Sequence, residues 1–506
     1  MKCTTYLTKI HTKMTSAQYK LAINTINTRL YIPYQRDGVQ WMLGMEGQTS
    51  GPKGGFLCDE MGLGKTVQLI STMLGNPKQR TLIVVPKSII TQWVEEIKRF
   101  APTLSVRVFD GPGRALDYEL LTAPGRYSVT IAPYTLLSVH GGDEDARTPL
   151  HNCRWDRVIL DEAHEIRNKR SKIFKNVCRL KTDIKWIVTG TPVFNSMEDF
   201  VSLCAFLGLS RNFVQGRTRE IKDVYILRRT KEDLVKLNER LRLPPCTFDN
   251  IELEMFDEEK SLYEFVFLEA QGIIQDAFRG PVQSLNSKNM IILECLLRAR
   301  QCMIWPQMYL DGVAQKNETE ATKWTGRSNK METLFKMIAE HPDEKTLIFC
   351  QFRGEMNYIQ SRMTCPVFRI DGSVSKEMRT QQIEGFKKAE PGAVFIIQIK
   401  SGGQGLNLQE ATRVYITAPA WNPATELQAI GRSHRMGQTQ AVHVKKLVYK
   451  ECPRFVSVEE EMMALQGHKS LVCSEVLNDD RIKSQIPVNR TTDKISILDI
   501  KKIFRA

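Results

Sequence analysis

The chain has 506 residues, too many for one ordinary hydrophobic core and enough for two domains. Hydrophobic residues make up 42% and charged residues 25%, the ordinary balance of a soluble globular protein. Lys and Arg number 71 against 57 Asp and Glu, and the formal net charge of +14 favours a polyanionic partner, nucleic acid being the commonest.

The twelve cysteines are scattered, and the closest two, Cys295 and Cys302, have six residues between them. Without a Cys-x-x-Cys spacing neither a zinc ribbon nor a RING is written, and the thiols read as reduced. The first fifteen residues carry Lys2, Lys9 and Lys13 and no apolar core of signal-peptide length. No apolar run approaches the roughly 20 residues needed to cross a bilayer. These features predict a soluble, intracellular chain with no membrane partner.

Short β-branched runs alternate with longer helical stretches. In chain order the predicted strands are Thr81–Val85, Val158–Leu160 and Trp186–Val188, then Thr346–Phe349, Val394–Ile397 and Val414–Ile416. Continuous apolar strands followed by helices predict an α/β fold of parallel sheets covered on both faces. Ligands bind such sheets at the C-terminal ends of the strands.

The first chemical signal is Asp59-Glu-Met-Gly-Leu-Gly-Lys-Thr66. A phosphate loop reads Gly-x4-Gly-Lys-Ser/Thr, and here Asp59 takes the first glycine position while Gly62 supplies the flexibility. Gly62 and Gly64 let backbone N–H groups turn onto phosphate oxygens, at the positive end of a helix starting near Lys65. Lys65 then reaches the β- and γ-phosphates, and the Thr66 hydroxyl helps to hold Mg²⁺.

Val158-Ile-Leu-Asp-Glu-Ala-His164 is a buried strand ending in two carboxylates. Asp161 at the strand tip can hold Mg²⁺ through water, and Glu162 can orient and deprotonate an attacking water. The strand series pauses between about residues 240 and 335. Residues 252–305 read mostly as helix and 311–329 as a polar loop. Gln428, Arg432 and Arg435 are spaced i, i+4 and i+7, which predicts one helix face with two guanidiniums suited to a γ-phosphate. From about residue 468 the periodicity is weak, as in a docking tail or a partly disordered segment.

The order of a phosphate loop, Asp-Glu-Ala-His and Thr189-Gly-Thr-Pro192 resembles a superfamily-two helicase motor. The flanking text is similar to the Swi/Snf family of ATP-driven DNA translocases: DEMGLGKT, LIVVPKSIITQW (82–93), VILDEAHEIRN (158–168), VTGTPVFN (188–195), ILRRTKEDL (226–234), SGGQGLNL (401–408) and WNPATELQAIGRSHRMGQ (421–438). The match runs in order from about residue 30 to 450. Ile166-Arg-Asn168 and the run at 202–209 resemble the branch of helicase-like transcription factor and post-replication repair translocases. Those proteins usually carry a RING insertion, which this sequence lacks, so a built-in ubiquitin ligase activity is not implied.

The resemblance implies two tandem RecA-like parallel-sheet domains with a helical inter-domain region. The boundaries it suggests are 1–240, 241–330, 331–467 and a tail at 468–506. It implies ATP and Mg²⁺ as cofactors. Gln35, in Tyr34-Gln35 ahead of Gly38-Val-Gln-Trp41, matches the adenine-reading motif, and Asp59, which the family places in its loop, is expected to bind the cofactor with Gly62, Gly64, Lys65 and Thr66. Lys87 and Ser88 after Pro86 match the first nucleic-acid contact. Thr189 and Thr191 match the element coupling hydrolysis to movement, a role not separable from local capping. Ser401, Gly402, Gly403 and Gly405 match a loop meeting both ATP and DNA, and Trp421 the position beside it, where a buried core tryptophan is the alternative. Gln428, Arg432 and Arg435 occupy the arginine-finger helix.

Three departures touch the DNA-contact and coupling details. Ala418-Pro-Ala-Trp421 stands where the family usually has Asp-Pro-aromatic-Trp, Phe194 replaces a Gln, and Pro133 replaces a Thr before Tyr134. The expectation is a DNA-stimulated ATPase that translocates on double-stranded DNA as a single-copy motor, directed by protein partners or the short tails. Its place is the nucleus in a eukaryote or the site of viral DNA replication in a virus. A strand-separating DNA or RNA helicase, a non-hydrolysing DNA-binding scaffold, and a motor that strips another protein from DNA are the rival readings.

Overall fold

Two sheets, each entirely parallel, organise the chain, as the apolar runs predict. The computed structural model describes residues 14–30, 33–111, 128–138, 148–190, 197–237, 242–279, 285–402, 406–421, 423–450, 455–464, 466, 500 and 503–504. It divides into two compact units between Arg242 and Leu243.

The first unit holds β1 (Lys53–Leu57), β2 (Thr81–Val85), β3 (Val106–Val108), β4 (Val129–Pro133), β5 (Arg154–Asp161), β6 (Lys181–Val188) and β7 (Ile226–Leu227). Their spatial order is β3-β4-β2-β5-β6-β1-β7. Register brings Leu57, Val188 and Asp161 into one row at the C-terminal edge. The phosphate loop and the acidic box therefore leave the sheet at the same level, two strands apart. Helices α1 (Tyr34–Glu46), α2 (Lys65–Gly75) and α3 (Ile90–Phe100) cover the sheet through Val39, Met42, Leu43, Ile70, Met73, Trp93 and Ile97. Below this layer lies a buried polar knot. Arg157 meets Glu46 through two bonds of 2.7 and 2.5 Å, and Trp186 Nε1 and Asn76 Nδ2 donate to the same carboxylate. The full set of donors is what makes a buried charge tolerable there.

The second unit contains β8 (Cys246–Leu253), β9 (Thr346–Cys350), β10 (Val367–Ile370), β11 (Val394–Gln398), β12 (Arg413–Ile416) and β13 (Val442–Tyr449), ordered β10-β11-β9-β12-β13-β8. The helical stretch predicted before it is real: α4 (Asp257–Arg279), α5 (Leu285–Ile304) and α6 (Pro306–Asn317). One point is corrected. Residues 311–317 are helix, not loop, because Pro306 sits at the helix start and Met308, Tyr309, Gly312 and Ala314 are buried. The α4–α6 segment joins the same core as β9, β11, β12 and β13.

Helix α7 (Arg353–Arg362) starts on a buried carboxylate. Glu355 accepts from the Phe352 N–H at 2.6 Å and from the Gln351 N–H, and burial pushes its carboxyl up to about 7. The native state thus holds this proton longer than the unfolded chain does. The linked stability is present below the ordinary carboxyl range and is lost as pH rises through about 7. Relative to wild type, Glu355→Gln should gain on the order of 3 kcal/mol between pH 4 and pH 8. Urea unfolding of both proteins at the two pH values measures it, and a pH-independent difference would refute it.

Candidate active site

The phosphate loop forms as its glycines require. Gly62 and Gly64 have φ of 87° and 76°, and a side chain at Gly64 would run into Gln35 Nε2 at 2.5 Å. α2 begins at Lys65, so its first N–H groups face the loop. Lys65 Nζ donates to the Asp59 carbonyl at 2.8 Å. Gln35, buried in α1, donates to the Leu63 carbonyl at 3.2 Å and lies against Gly64.

Asp59 does something other than meet the nucleotide. Its carboxylate is fully buried and already occupied. Oδ1 accepts from Arg229 N at 3.1 Å and Nε at 2.9 Å, and Oδ2 accepts from Gln68 Nε2 at 3.0 Å and from Arg229 Nη2. A direct cofactor contact from this side chain is corrected to a structural role, because both oxygens serve protein donors. Arg229 was not singled out from the sequence, although it lies inside the quoted ILRRTKEDL run. Its guanidinium also donates to Gln68 Oε1 at 2.7 Å and to the Tyr34 carbonyl, tying α1, the loop and the segment after β7 together. Gly38 makes room, since a Cβ there would lie 2.0 Å from Gln68 Oε1. Neighbouring Arg228 donates to the Gly190 carbonyl at 2.9 Å, and Lys231 pairs with Glu60 at 3.2 Å.

Arg229→Ala should cost about 3–5 kcal/mol, because it leaves the Asp59 charge buried without its cation. Nucleotide affinity should fall at least about tenfold as the loop loosens. Urea unfolding and titration with a fluorescent ATP analogue check both. The pair Arg229→Met with Asp59→Leu should recover most of the stability but not the affinity.

At the tip of β5, Trp93 Nε1 donates to Asp161 Oδ2 at 2.8 Å, and the Glu162 N–H donates to Oδ1 at 2.9 Å. Burial, and then the neighbouring Glu162 charge, raise the Asp161 carboxyl to about 7, while Lys65 is close enough to pull it down. The lysine of the loop and the acidic box therefore share one electrostatic site. A carboxylate so under-compensated offers hard oxygen donors of the kind that suit Mg²⁺. Among the described residues no group of three or more His, Cys, Asp or Glu is set to hold a metal. A hydrated ion also held by phosphate oxygens suits this small donor set.

Glu162 has a left-handed backbone, φ 49° and ψ 50°, and its carboxylate lies 3.4 Å from His164 Nδ1. Tyr134, buried beneath, donates to the Asp161 carbonyl at 3.0 Å. Thr189 is buried, and its N–H reaches the Leu57 carbonyl at 3.3 Å. Thr191, Phe194, Gly403 and Gly405 lie outside the described residues.

On the same unit, Lys87 and Ser88 are exposed in a turn that leads into α3. Lys87 pairs with Asp110 at 3.2 Å, a surface pair weak enough to exchange for a phosphate.

The second unit departs from the predicted arginine face. Helix α8 (Pro423–Ile430) carries Gln428 but stops before Gly431, so Arg432 and Arg435 lie in the turns that follow. The i, i+4, i+7 argument therefore fails for both arginines. Arg432 is buried and Arg435 half-buried. Ser401 lies in a short helix (Ile399–Gly402), and its carbonyl accepts from Arg379 Nη2 at 2.5 Å. Trp421 is 37% exposed, so the buried-core alternative does not hold.

No helix among the described residues is long and apolar enough to cross a membrane. The SNF2-related domain family matches residues 34–308, and the helicase conserved C-terminal domain matches residues 329–437. The ATP-dependent helicase fft1 of Schizosaccharomyces pombe is 27% identical over 90% of this chain and 54% of its own length. The probable global transactivator of Orgyia pseudotsugata multicapsid polyhedrosis virus is 27% identical over 94% of both chains. The solved Sulfolobus solfataricus SWI2/SNF2 ATPase core in complex with dsDNA is 27% identical, with 92% of this chain and 98% of that one covered and a TM-score of 0.40. The chain spans about half the length of curated relatives such as fft1. Since the first matched domain alone takes in more than half of the sequence and the second follows it in order, the chain belongs to the SNF2-related family of Swi/Snf-type, helicase-like ATPases.

Proposed function

We propose that this chain hydrolyses ATP in a reaction stimulated by double-stranded DNA, and that hydrolysis drives it along the duplex to remodel protein–DNA complexes. One observation carries the reading. The Gly62–Thr66 loop opens a helix at the C-terminal edge of a parallel sheet, and its lysine acts electrostatically on Asp161 beside Glu162.

In this reading backbone N–H groups of the loop and Lys65 hold the phosphates, and Gln35 reads the adenine edge. Thr66 and Asp161 would hold Mg²⁺, which supplies charge neutralisation between the β- and γ-phosphates. Glu162 orients the attacking water and takes its proton. Arg435 and Arg432 of the second unit stabilise charge on the γ-phosphate oxygens, with Gln428 and Gly403 as further nucleotide contacts. Lys87, Ser88, Ser401 and Trp421 contact DNA, mainly at phosphates. The surplus of +14 supports such sequence-independent, salt-sensitive binding. The working unit is one copy, directed by protein partners to nuclear chromatin or to the site of viral DNA replication.

ATPase rates with duplex DNA, single-stranded DNA and RNA side by side, against Lys65→Ala, test the reading. Strongest stimulation by duplex supports it. Robust strand displacement on a forked duplex would make the chain a helicase in the strict sense. No turnover above Lys65→Ala would make it a scaffold.

A further inference from the structure

The segment that presents Trp421 is held in an unusual way. Ala418 and Ala420 are buried and bring no polar side chain. Yet three successive backbone carbonyls each accept from a side chain of a different part of the second unit. Gln351 Nε2, just after β9, donates to the Ala418 carbonyl at 3.1 Å. Arg300 Nη2, from α5, donates to the Pro419 carbonyl at 3.0 Å. Gln466 Nε2 donates to the Ala420 carbonyl at 2.5 Å. The Ala420 N–H in turn donates to Glu426 Oε1 at 2.7 Å, and buried Lys446 holds the other oxygen of that carboxylate at 3.0 Å. Buried backbone groups must be paired, but loops more often find backbone or water partners. Here the neighbours clamp the chain just before an exposed tryptophan.

Among these donors Arg300 is the charged one. Its guanidinium lies 5.8 Å from the Phe352 ring centre. A charge-assisted donor thus holds the backbone two residues before Trp421. Because Arg300 belongs to the α4–α6 helical segment, it connects that segment to the tryptophan.

We propose that Arg300 is a positioning residue for DNA engagement: it sets Trp421 through the Pro419 carbonyl and takes no part in ATP chemistry. This rests on the reading above that Trp421 contacts DNA. A residue in this role affects how much duplex is needed, not how fast the saturated motor turns over.

The test measures ATPase rate against concentration of a random-sequence duplex, using the full chain. Arg300→Met should raise the half-saturating duplex concentration about tenfold, the size of one lost charge-assisted bond. The basal rate and kcat at saturating duplex should stay within about twofold, a change under the error of such single-bond estimates. Arg300→Lys, which keeps a cationic donor, should recover most of the loss. The double variant with Trp421→Ala should be no worse than Trp421→Ala alone, since both act through one contact.

Effects that multiply in the double variant, or a fall in kcat with unchanged half-saturation, overturn the proposal. If Trp421→Ala raises half-saturation and Arg300→Met does not, the positioning role alone fails. If Trp421→Ala has no effect, the DNA role of Trp421 fails and the proposal with it. Should Arg300→Met not fold, Arg300→Gln against Arg300→Lys makes the same comparison.

Discussion

Arg435→Ala is expected to lower the DNA-stimulated kcat by about 10³–10⁵ while leaving ATP affinity nearly unchanged. Of the groups proposed to bind ATP before reaction, Lys65, Thr66 and Gln35 belong to the first unit, and a change at residue 435 leaves them, and the Gln428 and Gly403 contacts, in place. A guanidinium that acts on developing γ-phosphate charge lowers the transition state more than the ground state, which is the signature of a pure kcat effect. Arg435→Lys should recover little, because an ammonium cannot present the planar fork. Arg432 is the more buried of the two, so truncating its side chain opens space inside the second unit. Arg432→Ala should therefore lose thermal stability as well as rate, and Arg435→Ala rate alone. Steady-state kinetics with thermal melting separates them. An Arg435→Ala enzyme with wild-type kcat would remove the second unit from the chemistry.

The apolar strands were legible because burial on both faces writes itself as unbroken β-branched runs. Thr81–Val85 is a strand over just those residues. Seven of the thirteen described strands, β1, β3, β4, β7, β8, β10 and β13, were not picked out, and two of them show different reasons. β1 reads Lys-Gly-Gly-Phe-Leu, poor in β propensity, and is a strand because β6 and β7 pair with it on both sides. β8 is a largely exposed edge strand, so its residues follow no buried pattern, and eight backbone pairs with β13 define it. The candidate site divides in the same way. Motif text located the loop and the acidic box, since glycine conformations and strand-end carboxylates are local. It did not locate Arg229, whose role depends on a carboxylate 170 residues away in sequence. A signal existed: an acidic residue in place of the loop's first glycine demands a cation if it is buried. The overextended arginine helix had one too, since Gly431 follows the last helical residue, where glycine commonly stops a helix.

Glu162→Gln should bind ATP and duplex DNA as wild type does, and its kcat should fall by about 10²–10⁴, the usual worth of a positioned general base. The substitution suits the backbone at this site. Glu162 sits in the left-handed region at φ 49°, so a change to glycine would relieve strain and alter the fold's energy along with the chemistry. Glutamine carries the same strain and nearly the same shape, and it retains an acceptor for the contact with His164. It loses the ability to take a proton from water. The bond from the backbone N–H of residue 162 to Asp161 Oδ1 does not involve the side chain, so the Asp161 carboxylate stays in place for Mg²⁺. Binding and turnover should thus separate cleanly. Equilibrium titrations with a fluorescent ATP analogue and labelled duplex should match wild type, while single-turnover hydrolysis collapses. Glu162→Asp should lie between the two, with the base present but withdrawn by one methylene. Wild-type turnover in Glu162→Gln would refute the general-base assignment, and weakened ATP binding would show that the Glu162 carboxylate holds the nucleotide site itself.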